Sequence, residues 1–153
     1  MATRIAPAAS PEKLSPRPVR TFFDSNILLY AEDAAFPVKQ QKAVELIVHH
    51  RRHRTGVISL QVLGEFFEVA TRKLKIDPAI VRIRAEFYAR FDLVEPALTD
   101  VFAATDLHRL HHYSYWDSLV LRCALSSGCK VLLSEDMQHG RVIDGLRIEN
   151  PFA

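Results

Sequence analysis

The stretch Phe22–Tyr30, "FFDSNILLY", decides how the rest of the chain is read. Val19, Thr21 and the two phenylalanines have the β-branched and aromatic character of a strand entering a core. At Asp24 the character changes, and Asp24, Ser25 and Asn26 separate this strand from a second apolar run that starts a helix over Ile27–Ala31. All three side chains suit a helix start, because each can bond a free backbone N–H group. A carboxylate at the end of a parallel strand also suits a ligand site, since open α/β sheets bind ligands beyond the carboxyl ends of their strands. The local sequence leaves both readings open.

Outward from this stretch the pattern alternates. Lys39–His53 is helical, with Ala43, Leu46 and Ile47 as its apolar stripe. "TGVISL" is a second strand, and Gln61–Lys75 a helix whose stripe is Val62, Leu63, Phe66, Phe67, Ala70 and Leu74. Asp77 and Pro78 open a helix running towards Phe91, with proline at the first helical position. "DLVEP" is a third short strand, followed by helices over Thr99–His112 and Tyr115–Ser126. Gly128 ends the second of these, "KVLLS" is a fourth strand, and "LRIENPF" a weak fifth. Short strands separated by helices imply right-handed crossovers, a parallel sheet, and helices on both faces. The expected fold class is therefore α/β, a three-layer α/β/α sandwich around a short, mainly parallel sheet.

The 153 residues suit one domain with a sizeable core, and 48% hydrophobic with 25% charged residues is ordinary for a soluble protein. Residues 1–19 hold four prolines and scattered charges and are expected to be a flexible tail before a domain spanning 20–153. A net charge of +2 neither announces nor excludes a nucleic-acid partner, because clustering decides that. No apolar run approaches the ~20 residues that span a bilayer, and the opening lacks a secretory signal's apolar stretch. No membrane segment and a cytoplasmic location are the expectation, with Cys123 and Cys129 as reduced thiols.

Four acids recur at comparable places. Asp24 follows the first strand, and Asp136 follows the fourth in "VLLSEDMQHG". Glu65 lies on the shoulder of an apolar helix face, with Val62 and Val69 one turn away, whereas Glu68 is spaced for a surface pair with Arg72. Gly64 lowers helix propensity by ~1 kcal/mol relative to alanine, which suggests a close approach there. Asp117, in "SYWDSLVLRCAL", has capping-box spacing from Ser114 but also borders Val120 and Leu121. Each acid singly has a turn, cap or solvation role available. Gathered at one sheet edge, four carboxylates repel and want a cation. An oxygen donor set without a cysteine or histidine triad favours Mg²⁺ or Mn²⁺.

Together these segments resemble the PIN-domain family, and within it the toxin-type ribonucleases of bacterial toxin–antitoxin pairs. The matching stretches are "FFDSNILLY", "GEFFEV", "SYWDSLVLRCAL", "VLLSEDMQHG" and "GLRIENPF", running from about Thr21 to the C-terminus. The resemblance implies a metal-dependent endoribonuclease in which Asp24, Glu65, Asp117 and Asp136 bind metal and carry catalysis. It also implies that Asn26 and Ser134 shape the site, that the chain dimerises, and that an antitoxin protein blocks it. "DSN" departs from the commoner Asp-Thr-Asn while keeping a hydroxyl, and the proline-rich extension is a further departure. The alternative is a PIN-like module that binds RNA or protein without cutting. A phosphatase built on an Asp24 nucleophile would want an acid two residues on, where Asn26 stands.

The run "HHRRHR", His49–Arg54, is the densest positive charge. It reads either as a helix C-terminus suited to cations or as an RNA-contacting edge formed by Arg51, Arg52 and Arg54. His108, His111 and His112 read as surface or capping residues, and Phe66 and Trp116 as core aromatics.

Overall fold

Thr21, Phe22 and Phe23 form strand β1, and all three are buried. The computed structural model describes residues 19–153, so the expected tail lies outside the described residues except for Val19, which is exposed and precedes the strand. After β1 come helices α1 (Ser25–Glu32) and α2 (Pro37–His53), strand β2 (Gly56–Ser59), helices α3 (Leu60–Arg72) and α4 (Pro78–Tyr88), and strand β3 (Asp92–Val94). Helices α5 (Leu98–His111) and α6 (Tyr115–Ser126), strand β4 (Val131–Leu133) and the pair β5 (Val142–Ile143) and β6 (Leu146–Glu149) complete the order.

The six strands are ordered β3-β2-β1-β4-β6-β5. All neighbours pair in parallel except β5 and β6. In register, Thr21 of β1 stands between Gly56 of β2 and Val131 of β4. The chain moves from β1 outward to β2 and β3, then returns to the other side of β1 through α5 and α6. Right-handed crossovers in opposite directions put α1–α4 on one face and α5 and α6 on the other, which makes three layers. The packing agrees: α1 meets α2 and α3, α3 meets α4, and α5 meets α6. Reversal of direction at β1 and β4 creates a crevice at their carboxyl ends, the place where such sheets bind ligands.

Phe22, Phe23, Ile58, Leu132 and Ile148 are fully buried in the sheet and Ile27, Val62, Phe66 and Leu121 on the helices above and below it. The antiparallel β5 was not expected from the sequence because two residues carry no periodicity. Its signal was the Asp144-Gly145 pair, whose positive φ values of 49° and 84° make the tight hairpin turn. Trp116 corrects the expectation of a core aromatic: it is 60% exposed in the first turn of α6, while Ser118–Leu121, Cys123 and Ala124 supply that helix's buried face. Phe66 is fully buried as expected. Cys123 and Cys129 are free and buried. Among the described residues, no helix is long and apolar enough to cross a membrane.

Candidate active site

Asp24 leaves β1 with its N–H donating to the Leu133 carbonyl at 3.0 Å, which prolongs the pairing with β4 by one step. Its side chain is 5% exposed. One carboxylate oxygen, Oδ1, accepts the Ser25 N–H at 2.8 Å and caps α1. The other, Oδ2, accepts the Ser134 hydroxyl at 2.8 Å and the Asn26 amide at 3.4 Å. Capping and site membership are thus held by different oxygens of one residue.

Asn26 joins the loops beyond β1 and β4. Its Nδ2 reaches Asp136 Oδ2 at 3.1 Å, and its Oδ1 accepts the Glu135 N–H at 3.2 Å. Ser134 is fully buried and also accepts the Asp136 N–H at 3.3 Å. Glu65 enters from α3, which starts at the carboxyl end of β2 because Ser59 ends that strand and caps the helix through the Val62 N–H. Its two carboxylate oxygens accept the Ser25 hydroxyl and the Gln61 amide, both at 3.0 Å. Ser25 and Gln61 were missed as site residues. Their signals were position alone: Ser25 follows Asp24, and Gln61 stands one helical turn before Glu65.

Asp117 lies in the first turn of α6, and the Ser114 hydroxyl accepts its N–H at 3.1 Å. The expected box is half formed, for among the described residues the Asp117 carboxylate makes no return bond to the Ser114 backbone, and it is left to face the other acids. Burial pushes the Asp24 carboxyl up to about 7, against the bonds from Ser134 and Ser25, and the charges of Asp117 and Glu65 push it further. Burial likewise raises Asp117, against a bond from the Ser114 side chain, with Asp136 and Glu65 adding to the effect. The four acids therefore feel one another, and the charged groups acting on both raised aspartates are all negative. Among the described residues, no three Asp, Glu, His or Cys side chains stand close enough to hold an ion as arranged. Ser25 bridges Asp24 and Glu65, and Asn26 bridges Asp24 and Asp136, so polar side chains stand between the carboxylates in this arrangement.

The PIN-domain family model matches residues 21–144, a segment that contains all four acids. The chain belongs to the PIN-domain family. No curated protein matches it. Among solved structures it is similar to VapC20 of Mycobacterium tuberculosis, described as a sarcin–ricin loop cleaving toxin. That likeness has a TM-score of 0.61 at 16% identity and covers 73% of this chain and 86% of that one. It is also similar to a chain of a toxin–antitoxin complex from Klebsiella pneumoniae, with a TM-score of 0.64 at 16% identity, covering 86% of this chain and 97% of that one. At such identity the likeness is one of fold.

The other singled-out residues of this PIN domain lie away from the acids. Arg51, Arg52 and Arg54 stand at the C-terminus of α2, which leads into the amino end of β2, so the sheet separates them from the acidic face. His112 closes α5 in the left-handed conformation with φ 61°, and His108 bonds the Tyr113 carbonyl. Arg141 reaches the His111 ring at 3.0 Å. Glu68 pairs with Arg72 on the surface as expected. A Cβ at Gly64 would meet nothing within 4 Å, so the described residues supply no close approach there.

Proposed function

We propose that this PIN domain is a metal-dependent endoribonuclease, the toxin of a toxin–antitoxin pair acting in the cytoplasm, and that it hydrolyses RNA phosphodiester bonds at its acidic face. The observation that carries this reading is the convergence of four carboxylates from four separate segments, with Asp24 raised to about 7 chiefly by burial and further by Asp117 and Glu65. The donor set fits Mg²⁺ or Mn²⁺, since it offers hard oxygens and no thiolate or imidazole. Asp24, Glu65, Asp117 and Asp136 are the residues that would hold the ion. When bound, such an ion lowers the pKa of water and stabilises phosphoryl oxygens.

The chain's own residues would orient the donors. Asn26 and Ser134 fix Asp24 Oδ2 and tie it to Asp136, while Ser25 and Gln61 aim the two oxygens of Glu65. An antitoxin partner belongs to the same proposal, supported by similarity to a chain from a toxin–antitoxin complex, and a homodimer is proposed with it on the family resemblance alone.

Purified full-length protein, free of inhibitor, is mixed with heterogeneous RNA in Mg²⁺, Mn²⁺ or chelator. Cleavage is expected only with metal. Asp24→Asn is expected to lower it by on the order of 100-fold or more, the scale of removing one preorganised electrostatic group. Asparagine keeps an oxygen to cap Ser25, so the circular-dichroism spectrum should not change. Wild-type turnover by that variant would return Asp24 to a capping role. RNA binding without cleavage in any metal would favour the non-catalytic module.

A further inference from the structure

At the amino ends of the strands, Arg51 and Arg54 of the α2 terminus and Arg90 before β3 line a cavity of about 390 Å³ together with His50, Gly56, Phe91 and Asp92. Asp24 and Asp136 follow the carboxyl ends of β1 and β4, so this cavity and the acidic face lie at opposite ends of the sheet. The intervening strands are three to four residues long, about 10–13 Å.

Three arginines line this cavity with one carboxylate, and that carboxylate is already engaged, since Asp92 pairs with Arg20 at 2.5 Å. The Arg51 guanidinium also lies over the Phe87 ring at 5.9 Å. Among the described residues, Arg51, Arg54 and Arg90 make no ion pair. Cations near a helix C-terminus ordinarily answer the helix dipole. That accounts for a charge on α2, but not for arginines from two separate segments gathered around one cavity. Aromatic rings pack beneath it. The buried His50 ring meets Phe23 edge-on at 5.3 Å, and Phe23 meets Phe91 at 5.4 Å. Gly56 lets these rings pack against the start of β2, for a Cβ there would lie 3.1 Å from the Phe91 ring. Arg52, by contrast, is outside the cavity lining.

We infer that this cavity is a second RNA contact, in which Arg51, Arg54 and Arg90 bind backbone phosphates of a long RNA at a point remote from the acidic face. Guanidiniums offer paired donors that match phosphate oxygens. The inference rests on RNA being the substrate, and it adds that affinity for long RNA and cleavage are located at different ends of the molecule.

The test measures RNA binding in full-length protein silenced by Asp24→Asn, so that it does not depend on cleavage. A long single-stranded RNA is titrated across a salt series against that protein and against the same protein carrying Arg51→Gln, Arg54→Gln and Arg90→Gln. Loss of each phosphate contact is expected to flatten the log–log salt slope by ~0.7, so up to ~2 for all three. With Asp24 intact, the arginine variant is expected to cleave a short oligonucleotide, one that fits the acidic face alone, at the wild-type rate. Lys42→Gln, Arg82→Gln and Arg109→Gln together control for net charge and should leave the slope unchanged. If the triple arginine variant melts early, Arg54→Gln and Arg90→Gln are measured singly, each expected to flatten the slope by its own increment. An unchanged slope, or an equal loss in the charge control, overturns the inference. So does a variant that keeps its RNA affinity but no longer binds inorganic pyrophosphate, because the cavity would then serve a small phosphate ligand. Failure of the wild type to cut any RNA would instead count against the ribonuclease reading and leave the binding result standing.

Discussion

Asp24 has two oxygens, and the fold uses each for a different purpose. One begins α1, and the other is turned into the polar group formed with Asn26 and Ser134. Helix start and candidate ligand are therefore compatible readings of "DSN". The same distinction separates Glu65 from Glu68. Glu65 is oriented by Ser25 and Gln61 beside the other acids, whereas Glu68 only pairs with Arg72 on the surface. Glu65→Gln is expected to cut activity by on the order of tenfold or more, since groups around a metal site typically carry 10–100-fold. Glu68→Gln should cost stability only ~0.2–0.5 kcal/mol and leave cleavage intact. Rates for both variants over a metal titration check this, and equal losses would place the site on the other face of α3. His50 offers a test by pH. Burial, helped by His49 and His53, holds it down to about 4, below the ordinary 6.5. Between those values the unfolded chain binds more protons, so this residue's contribution is full above 6.5 and is lost as pH falls towards 4. Asp24, raised to about 7, slopes the opposite way, and its contribution is lost as pH rises through that value. Urea unfolding of metal-free His50→Gln should thus show a shallower loss of stability on the acid side than wild type. Parallel curves would mean His50 is not held neutral.

At the scale of elements, the acids meet because each element that carries one starts or stops at the same edge. Strands β1 and β4 end there, α3 begins there through its Ser59 cap, and α6 begins there through its Ser114 cap. Each cap thereby fixes where a carboxylate can reach. Trp116 is exposed for a related reason: it sits in the first turn of α6, ahead of the residues that the sheet covers, with its ring against Tyr115 at 5.0 Å. Helix α3 ends at Arg72, short of the expected Lys75, and Lys75 takes a left-handed conformation with φ 58°. Within that helix, Gly64 has helical geometry and open space around its missing Cβ. Gly64→Ala should stabilise the protein by roughly 0.5–1 kcal/mol and raise the melting temperature by ~1–4 °C. A calorimetric scan of metal-free protein decides it, and a lowered melting temperature would restore the idea of a close approach at this position.

At the scale of the whole molecule, two charged groups stand at opposite ends of the sheet: the four acids beyond the carboxyl ends of the strands, and Arg51, Arg54 and Arg90 at the amino ends. Even so, Lys39 pairs with Glu135 beside the acids, and Asp92 stands among the arginines. A net charge of +2 conceals this separation. At the acidic end the native state keeps uncompensated like charges together, so a divalent cation should bind the folded chain in preference to the unfolded one. At a hundred times its dissociation constant such an ion adds ~2.7 kcal/mol of stability. Thermal melts with Mg²⁺ or Mn²⁺ are therefore expected to move upward, and Asp24→Asn should lose most of that shift. The absence of any shift at millimolar metal in the wild type would count against a common ion site.

Sequence by itself determined the class of fold and singled out four acids as candidates. Strand and helix periods follow from local sterics and burial, and the caps at Asp24, Asp77 and Ser114 are read from a few neighbouring residues. It also contained the Asp-Gly turn before β6, although a two-residue strand offered no period to draw attention to it. What only the tertiary structure decided is which side chains meet across long separations. Ser25 touches Glu65, Asn26 links Asp24 to Asp136, and Arg90 joins the arginines of α2. It likewise decided that Trp116 is exposed and that the "HHRRHR" run lies away from the acids. The physical reason is that periodicity specifies which face of an element is buried, whereas the order and direction of strands specify which ends coincide. That order is fixed only when the whole sheet closes around one core.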